Sequence, residues 1–387
     1  MKILIDGQTL LTPEINRGIG TYFKSTIAEM LENDFTNEFY LNTAPGPHIE
    51  NLPVWTRSKL TLIHNDIYNT GRTKNKRYSE AINNDIAKLG IDLYWSPNAL
   101  MHNVFIPSRQ TPACTFAVTI FDLIPLVMEK EYAKHLSASG LAELRSKLKQ
   151  MESDFDLFLH ISEHTRSDFV GALPAADKSH VVTPLAAGSA FKPYPFPQQP
   201  SETDYVFYPG GFDPRKNMNR ALEAFAKLQS THGADPAIRA TEFLIVCTLD
   251  DASRRIMMNK ARDLGIAEKV RLPGFVDDAS LVKLYQKARC LFFPSLYEGF
   301  GLPILEGLAC GLPVASANTS SLPEVAAGFA FYFDPYDIDG MAQALYEALK
   351  APMDTAAKQA RYEYSKHFSW QQTALATLDA FQSSVNL

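Results

Sequence analysis

The sequence predicts two doubly wound α/β domains in series. Three observations lead there. Short apolar, β-prone runs alternate with helical patterns through the first half of the chain, which argues for parallel sheets. The stretch Phe191–Ser201 then breaks the pattern, with four prolines and no periodicity, and reads as an extended linker. A second alternation starts at Tyr205, and a length of 387 residues suits more than one domain.

In chain order, Ile3–Ile5 is a first strand and Gly20–Leu31 a helix, followed by a strand at Phe39–Leu41. Ile91–Ser96, Phe116–Ile120 and Leu157–Ser162 read as later strands, and Glu163–Phe169 opens a helix. Beyond the linker come strand Tyr205–Tyr208, helix Met218–Ser230, strand Phe243–Cys247, helix Asp251–Leu264, strand Val270–Leu272 and helix Ala279–Ala288. The apolar run Arg289–Pro294 is a buried strand, Pro303–Cys310 a helix stopped by Gly311, and Pro313–Ser316 another strand. Trp370–Val385 is amphipathic and helical. The boundaries that follow are 1–197 together with 370–387 for one domain and 198–369 for the other, with a cleft expected between them.

Composition narrows the class. Hydrophobic residues make up 46% and charged residues 21%, normal for a globular chain. Net charge is −6 and the isoelectric point about 5.9, which does not suggest a nucleic-acid partner. Cys114, Cys247, Cys290 and Cys310 are scattered in apolar contexts and read as buried thiols. With no signal-peptide core at Met1–Asp6 and no apolar run of membrane-spanning length, a cytosolic protein is expected. The basic cluster Arg72, Lys74, Lys76 and Arg77 reads as a solvated loop or as a contact with anionic lipid on the membrane's inner face.

The segment Tyr297–Glu306 carries the most chemistry. Glu298 and Glu306 bracket Gly299, Phe300, Gly301 and Leu302, with seven residues between the carboxylates. The glycines let the backbone turn sharply and approach a ligand, and Pro303 suits the first turn of a helix. A carboxylate that grips hydroxyls beside bare N–H groups at a helix start suits a sugar joined to a phosphate. The plain alternative is a capping glutamate followed by an ordinary helix-surface glutamate.

Four further segments sit at strand ends. Gly210, Gly211, Arg215 and Lys216 follow the strand at Tyr205, where glycines and two cations suit a diphosphate or simply a solvated helix start. Arg17-Gly18-Ile19-Gly20 lies between the first strand and first helix, and is a ligand loop or a packing turn. Asp122 ends an apolar strand and needs a partner or a ligand, unless it is a structural cap. Ser162 reads as a helix N-cap.

The Glu298-to-Glu306 segment resembles the Glu-x7-Glu motif of retaining glycosyltransferases of GT-B architecture, in particular the large family 4. Gly210–Asn217, Arg17–Tyr22, Thr119–Leu126, Leu272–Val276 and Ile161–Thr165 resemble segments of the same family. The resemblance implies two Rossmann-like domains facing across a cleft and transfer of a sugar from a nucleotide diphosphate with retention, without a metal or other cofactor. It implies Glu298 on the transferred sugar, Glu306 on the ribose, Lys216 and Arg215 on the diphosphate, and backbone around Val276 near the base. Gly18, Gly20 and Gly211 would border the donor. Phe121 stands where the family often has a histidine, leaving Asp122 as the candidate there. Ile5-Asp6-Gly7, Arg17–Gly20 and Leu322–Val325 look most like mannosyltransferases of bacterial surface polysaccharides, which implies GDP-mannose as donor and a glycan or polyprenyl-linked acceptor. A UDP- or dTDP-sugar donor, a nucleotide-sugar 2-epimerase and a non-catalytic nucleotide-sugar binder are the alternatives.

Overall fold

The structure, a computed structural model, describes residues 1–65, 74–101, 104–132, 138–173, 178–194 and 204–385. Two compact units divide the chain. Unit 1 is Met1–Leu185 together with Ser369–Leu387, and unit 2 is Ala186–Phe368. The passage into unit 2 thus falls at Leu185, not at 197, because Ala186–Tyr194 already belongs to the second unit; Phe191, for example, packs edge-on against Tyr285. Within the expected linker, residues 195–201 lie outside the described residues.

Unit 1 is built on a parallel seven-stranded sheet. Its strands are β1 (Lys2–Asp6), β2 (Glu38–Thr43), β3 (Thr61–His64), β4 (Leu93–Ser96), β5 (Thr115–Ile120), β6 (Leu157–His160) and β7 (Ser179–Val182). They lie in the order β3-β2-β1-β4-β5-β6-β7. Buried on both faces, the central strands read as uninterrupted apolar runs (Ile3, Leu4, Ile5; Phe116, Ala117, Val118) and were therefore legible. The edge strands β3 and β7 are short and half-exposed, and so lack that signal. The first helix begins at Gly18, two residues before the expected Gly20.

The C-terminal helix Trp370–Val385 packs on unit 1, against the helix Gly18–Asn33. Phe381 is fully buried and meets Trp95 edge-on with ring centroids 5.6 Å apart, and Trp370 meets Tyr22 at 6.2 Å. Such aromatic pairs contribute about 0.5–1.5 kcal/mol beyond the area they bury.

Unit 2 carries a parallel six-stranded sheet: β8 (Tyr205–Pro209), β9 (Glu242–Val246), β10 (Val270–Arg271), β11 (Cys290–Phe293), β12 (Val314–Ala317) and β13 (Ala330–Phe333), in the order β10-β9-β8-β11-β12-β13. Strand order reverses between β1 and β4 in the first sheet and between β8 and β11 in the second. In open α/β sheets, ligands bind outside the carboxyl ends of the strands at such reversals. Cys114, Cys290 and Cys310 are buried thiols, and Cys247 is partly exposed.

Candidate donor site and comparisons

The segment Glu298–Leu302 follows β11, and Gly210–Asn217 follows β8, so both lie at the reversal of the second sheet. The chain there forms one short turn of 3-10 helix, Pro214–Lys216, capped by Asp213, whose carboxylate accepts from the Arg215 N–H at 3.1 Å. Leu296 N donates to Arg215 O at 2.7 Å and Tyr208 Oη to Lys216 O at 2.7 Å, fixing the two cationic residues to both strands.

Lys216 Nζ donates to Glu298 Oε1 at 2.6 Å, and Arg215 Nη1 donates to Glu298 Oε2. The Glu298 side chain is only 9% exposed and that of Lys216 only 14%. Burial pushes the Glu298 carboxyl up, but the charges of Lys216 and Arg215 outweigh it and hold the group below its ordinary value. Burial pushes the Lys216 ammonium down, against the pull of Glu298. The Lys216 ammonium also lies 5.0 Å from the centroid of the Phe293 ring. Asp213 Oδ2 also stands 3.5 Å from Arg215 Nε, so two cations face two carboxylates here, and an incoming anion binds by taking the place of a carboxylate.

Gly301 takes φ +99°, and a Cβ there would come within 2.7 Å of Leu322 Cδ2. This glycine is required by both conformation and space. It precedes the helix Leu302–Ala309, which ends one residue earlier than the expected Cys310; Cys310 is the C-cap, and Gly311 follows it in the left-handed region at φ +78°. Phe300 is buried and packs edge-on against Phe368. Its side chain is therefore turned into the core, and its contribution to a ligand would come from the backbone.

Three more side chains hold this turn: Asn217, which closes the Gly210–Asn217 segment, and Ser320 and Ser321, which carried no signal in the sequence. Ser321 Oγ bridges to Glu298 O at 3.0 Å and Phe300 O at 2.8 Å, and Ser320 Oγ accepts from Glu298 N at 2.9 Å. Asn217 is buried in the left-handed region, φ +61°, and its amide donates to Pro294 O at 3.1 Å and Pro335 O at 2.8 Å. One side chain thus ties the loops after β8, β11 and β13.

Glu306 lies in the middle of the helix Leu302–Ala309 and is partly buried. Burial drives its carboxyl up to about 7, against a smaller opposing effect of the Tyr285 hydroxyl beside it. Val276 is half-buried in the loop after β10, next to the strongly exposed Phe275. At Gly211 a Cβ would meet nothing within 4 Å, so neither crowding nor backbone conformation demands glycine there; at Gly210 it would strike the Tyr208 ring at 2.6 Å.

In unit 1, packing requires a glycine at position 20. A Cβ there would lie 2.0 Å from Ile15 O, and the residue is buried within the first helix. Gly18 is exposed at the start of that helix. Asp122 Oδ1 accepts from Ile124 N at 3.1 Å, at the start of the short helix Ile124–Val127, whose N-cap residue is Leu123. It also lines a cavity of about 200 Å³ with Phe121, Asn98, Glu143 and Lys147. Phe121 packs edge-on against Tyr22 at 5.1 Å. Ser162 is an N-cap, with Oγ accepting from Thr165 N at 3.0 Å. Of the basic cluster, Arg72 lies outside the described residues and Lys74 starts the helix Lys74–Leu89; exposed Lys76 stands 3.9 Å from Glu80, and Arg77 is exposed on the same helix. Among the described residues, no helix is long and apolar enough to cross a membrane.

Residues 194–366 match the family model described as glycosyl transferases group 1. Over 298 residues the chain is 29% identical to the O-antigen chain mannosyltransferase B of Escherichia coli, covering 72% of each protein. It is 26% identical to the serotype-specific mannosyltransferase WbdA of Escherichia coli over 98% of this chain, yet it spans only 48% of that longer relative. A solved sucrose-phosphate synthase of Thermosynechococcus elongatus superposes with a TM-score of 0.69 at 18% identity, covering 99% of this chain and 98% of that one.

Proposed function

The second unit of the chain is a domain of the glycosyl transferases group 1 set in a GT-B fold, and from that premise we propose that the protein transfers mannose from GDP-mannose to a glycan of a bacterial surface polysaccharide, with retention. The observation that carries the reading is the Lys216–Glu298–Arg215 cluster at the reversal of the second sheet. Mannose rather than another hexose is supported by the names of the relatives, both of them mannosyltransferases.

In this reading the donor diphosphate displaces Glu298 from its two cations. Lys216 and Arg215 then meet the charge that grows on the leaving diphosphate as the bond from C1 to the phosphate oxygen breaks. The N–H groups of the Gly299–Leu302 turn add positive potential at the start of their helix. Glu298, released from its partners, accepts hydroxyls of the transferred sugar, and Glu306 accepts those of the ribose. The acceptor hydroxyl forms the new bond to C1 on the face the diphosphate leaves, and its proton passes to the departing phosphate oxygen. The cations supply the electrostatic stabilisation, so the scheme needs no metal ion or other cofactor. Asp122, in the cavity of unit 1, is the candidate for orienting the acceptor, a sugar hydroxyl of a free or polyprenyl-linked glycan. Catalysis would place the protein where cytoplasmic nucleotide sugars meet that acceptor.

Incubation with GDP-mannose and a mannose-terminated oligosaccharide, followed by NMR of the product, tests the reading. An α-linked product from the α-configured donor is expected. Conversion of donor without acceptor would instead support an epimerase. Calorimetry with GDP should also give at least about tenfold weaker binding for Lys216→Ala, the loss of one charge-assisted contact.

A further inference from the structure

A groove of about 800 Å³ in unit 2 lies outside the donor reading. Arg289 immediately precedes β11 and Glu298 follows that strand's far end, so the two residues stand at opposite ends of a central strand, Arg289 at its amino end and Glu298 past its carboxyl end. Lys192, Lys287, Arg289 and Lys358 line it, opposed by Asp204 and Asp354. Asp354 is engaged as a helix cap, accepting from Ala357 N at 2.9 Å. Arg361 stands close by, donating to Gly311 O at 3.1 Å and Pro352 O at 3.0 Å.

The cations of this groove are under-compensated. Arg289 Nη2 donates to Ala351 O at 3.0 Å, whereas its Nη1 is buried and has no hydrogen-bond partner among the described residues. Buried donors are almost always paired, so an orphaned guanidinium nitrogen calls for a partner from outside the chain. Burial, then the charges of Arg289 and Arg361, push the Lys358 ammonium below its ordinary value. Positive groups that repel one another at a pocket wall are stabilised by a bound anion, and a guanidinium beside an ammonium matches the oxygens of a phosphoryl group.

We propose that this groove is a second anion site, taking a phosphoryl group on Arg289 and Lys358. The phosphoryl group belongs either to a soluble phosphorylated metabolite or to a phospholipid head group presented by a membrane.

Calorimetric titration of inorganic pyrophosphate tests this in the Lys216→Ala background, where the donor cluster is weakened. One remaining site is expected, and adding Arg289→Met and Lys358→Met should weaken it at least tenfold. Lys287→Glu is exposed and threatens no packing, so a loss of affinity in that variant cannot be ascribed to misfolding. Vesicles of phosphatidylcholine with phosphatidate separate the two sources. Retention that depends on Arg289 and Lys358 assigns the lipid head group; pyrophosphate binding without retention assigns a soluble ligand. The proposal is overturned if Lys216→Ala binds neither probe, or if the groove variants bind as well as Lys216→Ala alone.

Discussion

Lys216 and Glu298 lie 82 residues apart in sequence and share a hydrogen bond of 2.6 Å. The ammonium that should hold the donor diphosphate is thus already occupied by a carboxylate, and Arg215 is bound to the same group. Any anion that binds there competes with Glu298.

Glu298→Gln separates two consequences of this competition. The amide keeps the shape but loses the charge, so Lys216 and Arg215 become more available to phosphate. Affinity for GDP should hold or rise, while transfer falls at least about tenfold, roughly 1.4 kcal/mol of lost transition-state stabilisation. A wild-type rate would remove Glu298 from the chemistry. Weaker GDP binding would remove the competition.

Glu306 predicts a pH dependence. Its carboxyl titrates at about 7 in the folded chain against an ordinary 4.5. A raised folded value means that its contribution is fully present below the ordinary value and is lost as pH rises through about 7. Glu306→Gln abolishes this term. Denaturation midpoints of the variant should therefore gain on wild type as pH rises from about 5 to about 8; parallel curves would refute the buried carboxyl.

Asn217 joins three loops through two hydrogen bonds from one amide. Asn217→Ala leaves two buried carbonyls unpaired and puts alanine in the left-handed region, at a cost of about 2–4 kcal/mol in urea denaturation. Asn217→Gly keeps the backbone conformation and should cost less. Equal losses would show that the missing amide, not the backbone conformation, sets the stability.

Gly20→Ala distinguishes packing from ligand binding. The new methyl would collide with Ile15 O, and relief requires a helix shift costing about 1–3 kcal/mol. Thermal unfolding should therefore move down while GDP affinity, measured below the transition, stays at the wild-type value. A variant that is stable but binds GDP poorly would return the loop to the donor site.

The sequence made the central strands and the Glu298–Glu306 turn legible because both are local. A strand buried on both faces is a continuous apolar run, and a glycine turn between strand and helix is written in consecutive residues. What supports the turn is not local. Ser320, Ser321 and Asn217 act through bonds to residues far away in sequence, and no spacing rule announces them. The edge strands β3 and β7 are half-exposed and lack the apolar run. At Gly20 the sequence shows the glycine but not the Ile15 carbonyl that crowds it, which only the fold locates.

The chain leaves unit 1 at Leu185 and completes it only with Ser369–Leu387. On the ribosome, the faces of Tyr22 and Trp95 that Trp370 and Phe381 cover lack those partners until Ser369–Leu387 has been made. Unit 2, contiguous in the chain, can close first. A nascent chain arrested before Ser369 should therefore resist protease over Ala186–Phe368 while residues 1–185 are cleaved, which makes synthesis of Ser369–Leu387 the step at which unit 1 becomes vulnerable to aggregation or safe from it.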